Sequence, residues 1–346
     1  MKTEAMVLRT HGGPEVLNRE SIDLPEPGPR EVRVRVRAVA VNHLDIWVRK
    51  GLAHTKLEYP HRLGADIAGE IDALGPGARG CKVGDRVVVS PGISCGVCDK
   101  CLAGADNFCR SYKILGENTQ GGYARHCNVP DANVLPFPEG LAFTDAAAIP
   151  LVFLTAWQML VVKAKVTPGQ TVLVQAAGSG VSSAAIQIAK LFGARVIATT
   201  STDEKAERAR ALGADDVVNY TTQDFVLECK RLTGKRGVDV VVEHVGGEVF
   251  TKSILAAAWG GRVVTCGATA GFSPAVDLRQ IFFRQVEVLG STMGSKGSLF
   301  TILDLVAKNK LRPVVDRVMP LWEAKEAHRV LEERRAFGKV VLEVDA

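Results

Sequence analysis

The stretch SCGVCDKCLAGADNFC places Cys95, Cys98, Cys101 and Cys109 in a C-x2-C-x2-C-x7-C spacing. Four thiolates satisfy Zn2+ tetrahedrally, and a site with four protein ligands keeps no open position for water or substrate. An iron–sulfur cluster is the rival occupant. The spacing points to one structural zinc that clamps a local lobe, so any reaction must be carried by other residues. Cys81, Cys127, Cys229 and Cys266 stand alone and read as small apolar residues.

A second stretch could hold phosphate. The buried run TVLVQ leads into AAGSGVSSAA and then a helix, the arrangement that rests a pyrophosphate on a helix N-terminus. The strict G-x-G-x-x-G is incomplete: Gly178, Ser179, Gly180 and Val181 are followed by Ser182 and Ser183 where a third glycine would fall. Small residues still allow close approach, and the serines could donate hydrogen bonds. The next strand ends in ATTSTDEK, with Thr199, Thr200, Ser201 and Thr202 before the first acids, Asp203 and Glu204. Hydroxyls with Lys205 suit a 2′-phosphate better than a free ribose diol, which favours NADP(H) over NAD(H). The plainer reading is that Thr200 or Thr202 caps a helix and Lys205 is solvated.

The elements that must position these groups fall into two rhythms. To about residue 150 the chain reads as short strands divided by Gly and Pro, a β-rich domain whose zinc lobe spans about 92–112. From 151 to 293, apolar runs alternate with helical stretches: TVLVQ, ARVIATT, DDVVNY, VDVVVEH, GRVVTC and VEVLGS. Strand and helix repeated in this way predict an α/β, doubly wound parallel sheet. Ala185, Ile188, Ala189 and Phe192 mark one helix face, with Gly193 as its stop. The tail, 294–346, offers a helix and a strand that could extend either domain.

The 346 residues are 47% hydrophobic and 23% charged, with a net charge of +5, too mild to argue for a nucleic-acid or membrane partner. In EVRVRVRAVAVN the valines alternate with arginines, as in a half-buried strand with a solvated face. MKTEAMVLRT lacks the apolar core of an export signal, and AAAIPLVFLTAW is too short to span a bilayer. We therefore expect a cytoplasmic protein with reduced cysteines.

With these pieces in order the chain resembles the medium-chain dehydrogenase/reductase superfamily over essentially its whole length. The resemblance rests on GADIAGEIDALGPG, VGDRVVV, the four-cysteine lobe, AAAIPLVFLTAW, AAGSGVSSAAIQIAK, ALGADDVVNY and FGKVVL. It implies a GroES-like catalytic domain, a Rossmann domain and a C-terminal segment returning to the catalytic domain. Zinc alcohol dehydrogenases of that superfamily carry a second, catalytic zinc, and its ligands do not carry over. Asn42 stands for the first (Cys), Ala65 for the second (His), with Asp66 in place of the following Glu, and Leu151 for the third (Cys). Leu44 replaces the proton-relay hydroxyl, while Asp45 is retained. An amide, an alanine and a leucine cannot rebuild such a site, so no catalytic zinc is expected.

Those departures resemble the zinc-independent, quinone oxidoreductase-like branch, matched by VNHLDIWVRKG, although Trp47 stands where members often have Tyr. Lys205 and Tyr220 match phosphate contacts of NADPH-binding members, and Thr155 and Gly267 join the cofactor candidates on the same resemblance. Without a Lewis acid, alcohol oxidation is difficult, whereas a quinone or conjugated carbonyl is already electrophilic. The expected reaction is hydride transfer from NADP(H) to such an acceptor. The Asn42 amide would stabilise the oxygen that gains charge, His43 or water would supply the proton, and Asp45 would orient either one. The alternatives are an alcohol/aldehyde dehydrogenase whose zinc ligands come from His43, Asp66 or His61, and a non-catalytic NADPH-binding protein. His54 and His61 lie in a loop that could border the substrate. A homodimer or homotetramer is the expectation from the resemblance.

Overall fold

In the computed structural model, which describes residues 1–52 and 56–345, contacts divide the chain into two units. One comprises Met1–Leu151 with the segment from Ser295 onward; the other is Val152–Gly294.

The first unit is built on alternation. In the strand Glu31–Ala40, Val32, Val34 and Val36 are buried, while Arg33 and Arg35 leave the opposite face. They meet Asp72 and Glu70 of the neighbouring strand, each at 2.7 Å. Arg35 and Glu70 are direct partners in the antiparallel register. The basic stripe is thus a neutralised sheet face, and each such pair contributes at most about 1 kcal/mol.

That strand is the hub of a seven-stranded sheet. Its order is Val315–Pro320, Lys339–Glu343, Glu31–Ala40, Asp66–Leu74, Arg86–Val89 and Val134–Pro136, with His126–Pro130 also paired to Glu31–Ala40. Only Val315–Pro320 and Lys339–Glu343 run parallel to each other. The tail therefore joins the first sheet. The helix Ala324–Glu332 packs Ala327, Val330 and Leu331 onto the same core.

In the second unit all six apolar runs are strands of one parallel sheet. Its order is Asp216–Asn219, Arg195–Thr200, Thr171–Val174, Val238–Glu243, Ala257–Thr265 and Glu287–Gly290. The order reverses between Thr171–Val174 and Val238–Glu243, and the carboxyl ends of strands at such a reversal are where open sheets take ligands. The helix Gly180–Leu191 buries Ala185, Ile188 and Ala189 completely. Phe192, assigned to that face from its spacing, instead ends the helix half-buried. Gly193 follows at φ 71°, the left-handed conformation of a helix stop. AAAIPLVFLTAW is divided between the short helices Phe143–Ala147 and Pro150–Trp157. No described helix is long and apolar enough to cross a membrane.

Candidate functional site

The sulfurs of Cys95, Cys98, Cys101 and Cys109 lie within 4.8 Å of one another. Cys98 and Cys101 are 3.5 Å apart, Cys95 and Cys101 3.9 Å. A tetrahedron with Zn–S of about 2.3 Å has edges near 3.8 Å, so the four donors are gathered closely enough to converge on one zinc. Among the described residues this is the one group of three or more His, Cys, Asp or Glu arranged to hold a metal ion. The lobe is tied to the sheet at Asp106, which accepts from the Lys296 backbone N–H at 3.0 Å, while Lys296 Nζ donates to Asn133 Oδ1 at 2.9 Å.

The VNHLD segment enters a different kind of cluster. Asp66, fully buried at the start of its strand, accepts at Oδ1 from the Leu151 backbone N–H (2.8 Å). Its Oδ2 accepts from Asn42 Nδ2 (2.9 Å) and Lys339 Nζ (3.1 Å). Lys339, itself 3% exposed, also donates to Asn42 Oδ1 at 2.5 Å. The positions that correspond to zinc ligands in the related alcohol dehydrogenases thus offer an amide oxygen already bonded to an ammonium, a methyl group and an isobutyl group. That donor set does not fit a metal.

The roles expected of this segment shift accordingly. Both Asn42 amide hydrogens are committed, one to Asp66 and the other to Ala40 O at 3.3 Å, so Asn42 holds the cluster together rather than presenting a donor. Asp45 does not orient the Asn42 amide or His43. Its Oδ2 accepts from the Asn42 backbone N–H (2.7 Å) and its Oδ1 from that of Gly64 (2.9 Å), which fixes the start of the helix His43–Lys50. Burial pushes the Asp45 carboxyl up to about 6, against the pull of those two N–H groups. His43 stays exposed at the helix start, its ring tilted against Trp47. Protein packed on its inner side, and then the Lys339 charge, push its pKa down to about 4, so it is neutral at pH 7. His61 is buried with Nε2 donating to Gly116 O at 3.1 Å, a structural histidine. His54 lies outside the described residues.

Behind Asp45 runs a buried chain that sequence reasoning missed. Arg49, fully buried, donates to His328 Nδ1 at 2.9 Å and to Glu332 Oε1 at 2.9 Å. His328 Nδ1 is therefore an acceptor, and Nε2–H donates to Tyr123 Oη at 3.0 Å. Burial, and then the nearby Asp45 charge, hold the Tyr123 hydroxyl well above the usual phenol range. This phenol is enclosed in the core, so it does not replace the tyrosine that Trp47 displaces. Lys339 lies within FGKVVL, and no local pattern around it signals an ion pair.

In the second unit the phosphate loop is braced from below. Ala176 adopts φ 50°, and its N–H donates to Thr199 Oγ1 at 2.9 Å; Thr199 donates to Gln175 Oε1 at 2.7 Å. Ser179 caps the helix Gly180–Leu191 by accepting from the Ser182 N–H at 3.1 Å, leaving Gly178, Gly180 and Val181 partly exposed at its start. The expected serine donors are turned inward: Ser182 donates to Gln175 O (2.6 Å) and Ser183 to Gly180 O (2.9 Å). Thr200 Oγ1 is buried without a hydrogen-bond partner, an orphan hydroxyl at the strand end where a ribose or its phosphate would lie. Ser201 follows half-buried, and Thr202, not Thr200, caps the next helix through the Lys205 N–H at 3.2 Å. Tyr220 is exposed, its N–H bonded to Thr200 O at 3.0 Å. Thr155 is buried on Pro150–Trp157, and Gly267 follows Ala257–Thr265, accepting from Thr265 Oγ1 at 3.2 Å. The partly exposed helix start and the orphan hydroxyl fit a dinucleotide.

Residues 28–139 match the alcohol dehydrogenase GroES-like domain, and residues 180–308 the zinc-binding dehydrogenase family. An NAD-dependent alcohol dehydrogenase of Sulfolobus acidocaldarius is 32% identical, with 99% of each chain covered. The quinone oxidoreductase of Homo sapiens is 30% identical over 96% of this chain and 94% of its own. Among solved structures, an NAD-dependent alcohol dehydrogenase superposes with a TM-score of 0.96 at 57% identity, covering 99% of this chain and all of that one.

Proposed function

Since the chain belongs to the medium-chain dehydrogenase/reductase superfamily and is an oxidoreductase of it, we propose that it reduces quinones or α,β-unsaturated carbonyls with NADP(H). In this reading it uses no catalytic metal and carries one structural zinc on Cys95, Cys98, Cys101 and Cys109. The observation that carries the reading is the closed Lys339–Asp66 pair bridged by Asn42. Its two charges cancel. An alkoxide forms readily where a Lewis acid holds it, and a neutral pair supplies no such surplus charge. A quinone or the β-carbon of an enal is electron-poor already and accepts hydride when held close in a dry site.

NADP(H), when bound, supplies the hydride. The backbone of Gly178, Ser179, Gly180 and Val181 binds its pyrophosphate. The Thr200 hydroxyl with Ser201, Lys205 and Tyr220 holds the adenosine end, and Thr155 and Gly267 complete its track. Asn42 keeps Lys339 in place, and Asp45 fixes the turn on which Asn42 and His43 stand. His43, exposed and neutral, offers its ring N–H as a hydrogen bond to the oxygen that gains charge, and water supplies the proton.

A second reading, oxidation of alcohols with NAD, is favoured by the name of the structural relative at 57% identity. Product analysis on a conjugated enal separates the two. Saturated aldehyde from NADPH supports the reductase; allylic alcohol, together with two zinc atoms per chain, supports the alcohol dehydrogenase. A homodimer or homotetramer is supported by exposed apolar residues around the edge strand Glu287–Gly290, among them Trp259, Phe282, Phe283 and Val288. A reducing compartment, the cytoplasm, suits the four thiolates.

A further inference from the structure

His244 follows the strand Val238–Glu243 at the sheet's reversal, and the reaction outlined above does not use it. Its Nε2 lies 2.8 Å from Ser182 Oγ and 3.1 Å from Ser179 Oγ. The direction of these bonds follows from the neighbours. Gln175 O only accepts, so Ser182 gives it the single hydroxyl hydrogen across 2.6 Å. Toward His244, Ser182 can then only accept, and Nε2 carries the hydrogen. The pair is therefore not an activated nucleophile, because the serine proton points away from the imidazole. Ser179 donates to Ser182 Oγ at 3.0 Å and accepts from the Ser182 N–H. Both hydroxyls are turned onto the loop itself.

Such bracing has a physical reason. The loop carries Ala176 in the left-handed region, which is strained for a non-glycine residue. It also carries Ser182, fully buried in the first turn of the helix. A strained turn persists when its surroundings over-determine it. We propose that His244 is a positioning residue for the dinucleotide: its Nε2–H pins Ser182 and Ser179, so that the backbone N–H groups at the helix start stay aimed at the pyrophosphate. The inference rests on the cofactor reading above. It implies that this loop recognises only what NADH and NADPH share.

The test is fluorescence titration of NADPH and of NADH without substrate, on the full chain and on His244→Ala, His244→Gln and His244→Ala/Ser182→Ala, alongside thermal melting of each free protein. His244→Ala weakens both dinucleotides alike by about tenfold, the size of one well-placed hydrogen bond. His244→Gln, whose amide N–H reaches the same place, restores most of the affinity. Ser182→Ala adds little in the His244→Ala background, and melting is unchanged between His244→Ala and His244→Gln. Equal binding by His244→Ala and the unaltered chain overturns the inference. So does a loss confined to NADPH, or a loss that glutamine fails to rescue and that tracks a lower melting temperature. If the unaltered chain binds neither dinucleotide, the cofactor reading falls and this inference with it.

Discussion

The four-cysteine lobe and the Asn42–Asp66–Lys339 cluster belong to one unit but handle concentrated donors in opposite ways. The lobe gathers four sulfurs within 4.8 Å from a short run of chain and suits a cation taken from solution. The second cluster buries a carboxylate completely and neutralises it with an ammonium from a residue 273 positions away. An imported cation makes stability depend on metal supply. A built-in cation is immune to chelators, but removing it leaves a buried charge unpaired.

The comparison breaks first at the lobe. Cys98→Ser is expected to abolish zinc binding and to cost more than about 4 kcal/mol, the range of lost metal sites. Elemental analysis and thermal unfolding read the two effects, and an unaltered chain that melts identically with and without zinc sinks the clamp. Next, Lys339→Met leaves Asp66 buried and unpaired, at about 3–5 kcal/mol. Adding Asp66→Asn recovers part of that loss, and chelator changes neither melting curve apart from the lobe's contribution. Equal stability of Lys339→Met and the unaltered chain removes the ion pair from the account.

The smallest effect is a pH slope at Asp45. Its carboxyl is raised from 3.8 to about 6 in the folded chain, first by burial. The folded state thus holds this proton more tightly than the unfolded chain. The stabilisation is fully present below about pH 4 and is lost as pH rises through about 6. In urea titrations the unaltered chain loses about 1 kcal/mol per pH unit relative to Asp45→Asn across that window, and nothing further above it. A constant difference at every pH contradicts the assignment.

How much of this was legible in the sequence depends on chain distance. The cysteine lobe was, because all four donors lie within fifteen residues. The parallel sheet was too, because each strand carries its own apolar run, and the Val/Arg alternation of Glu31–Ala40 announced its two faces. The ion pair was not: Asp66 and Lys339 are 273 residues apart, and nothing near either one marks the other. Ser182 misled for a local reason, since a serine beside a phosphate loop looks like a donor until a carbonyl beneath it takes its hydrogen. Asp45 misled similarly, as backbone N–H groups claimed a carboxylate whose type suggested catalysis.

The strand Lys339–Glu343 also has a consequence for biogenesis. It pairs with Glu31–Ala40, and between the two lies the whole of Val152–Gly294, a contiguous unit whose strands pair only with one another. During synthesis at about 5–20 residues per second, the 273 positions from Asp66 to Lys339 take about 14–55 s to emerge. For that interval Asp66 has no internal counter-ion, and one edge of Glu31–Ala40 lacks its neighbour. The nascent first unit is then open to water, to other strands and to chaperones, while the interrupting unit is free to fold. Chains released before Lys339 lack both the counter-ion of Asp66 and one neighbour of Glu31–Ala40.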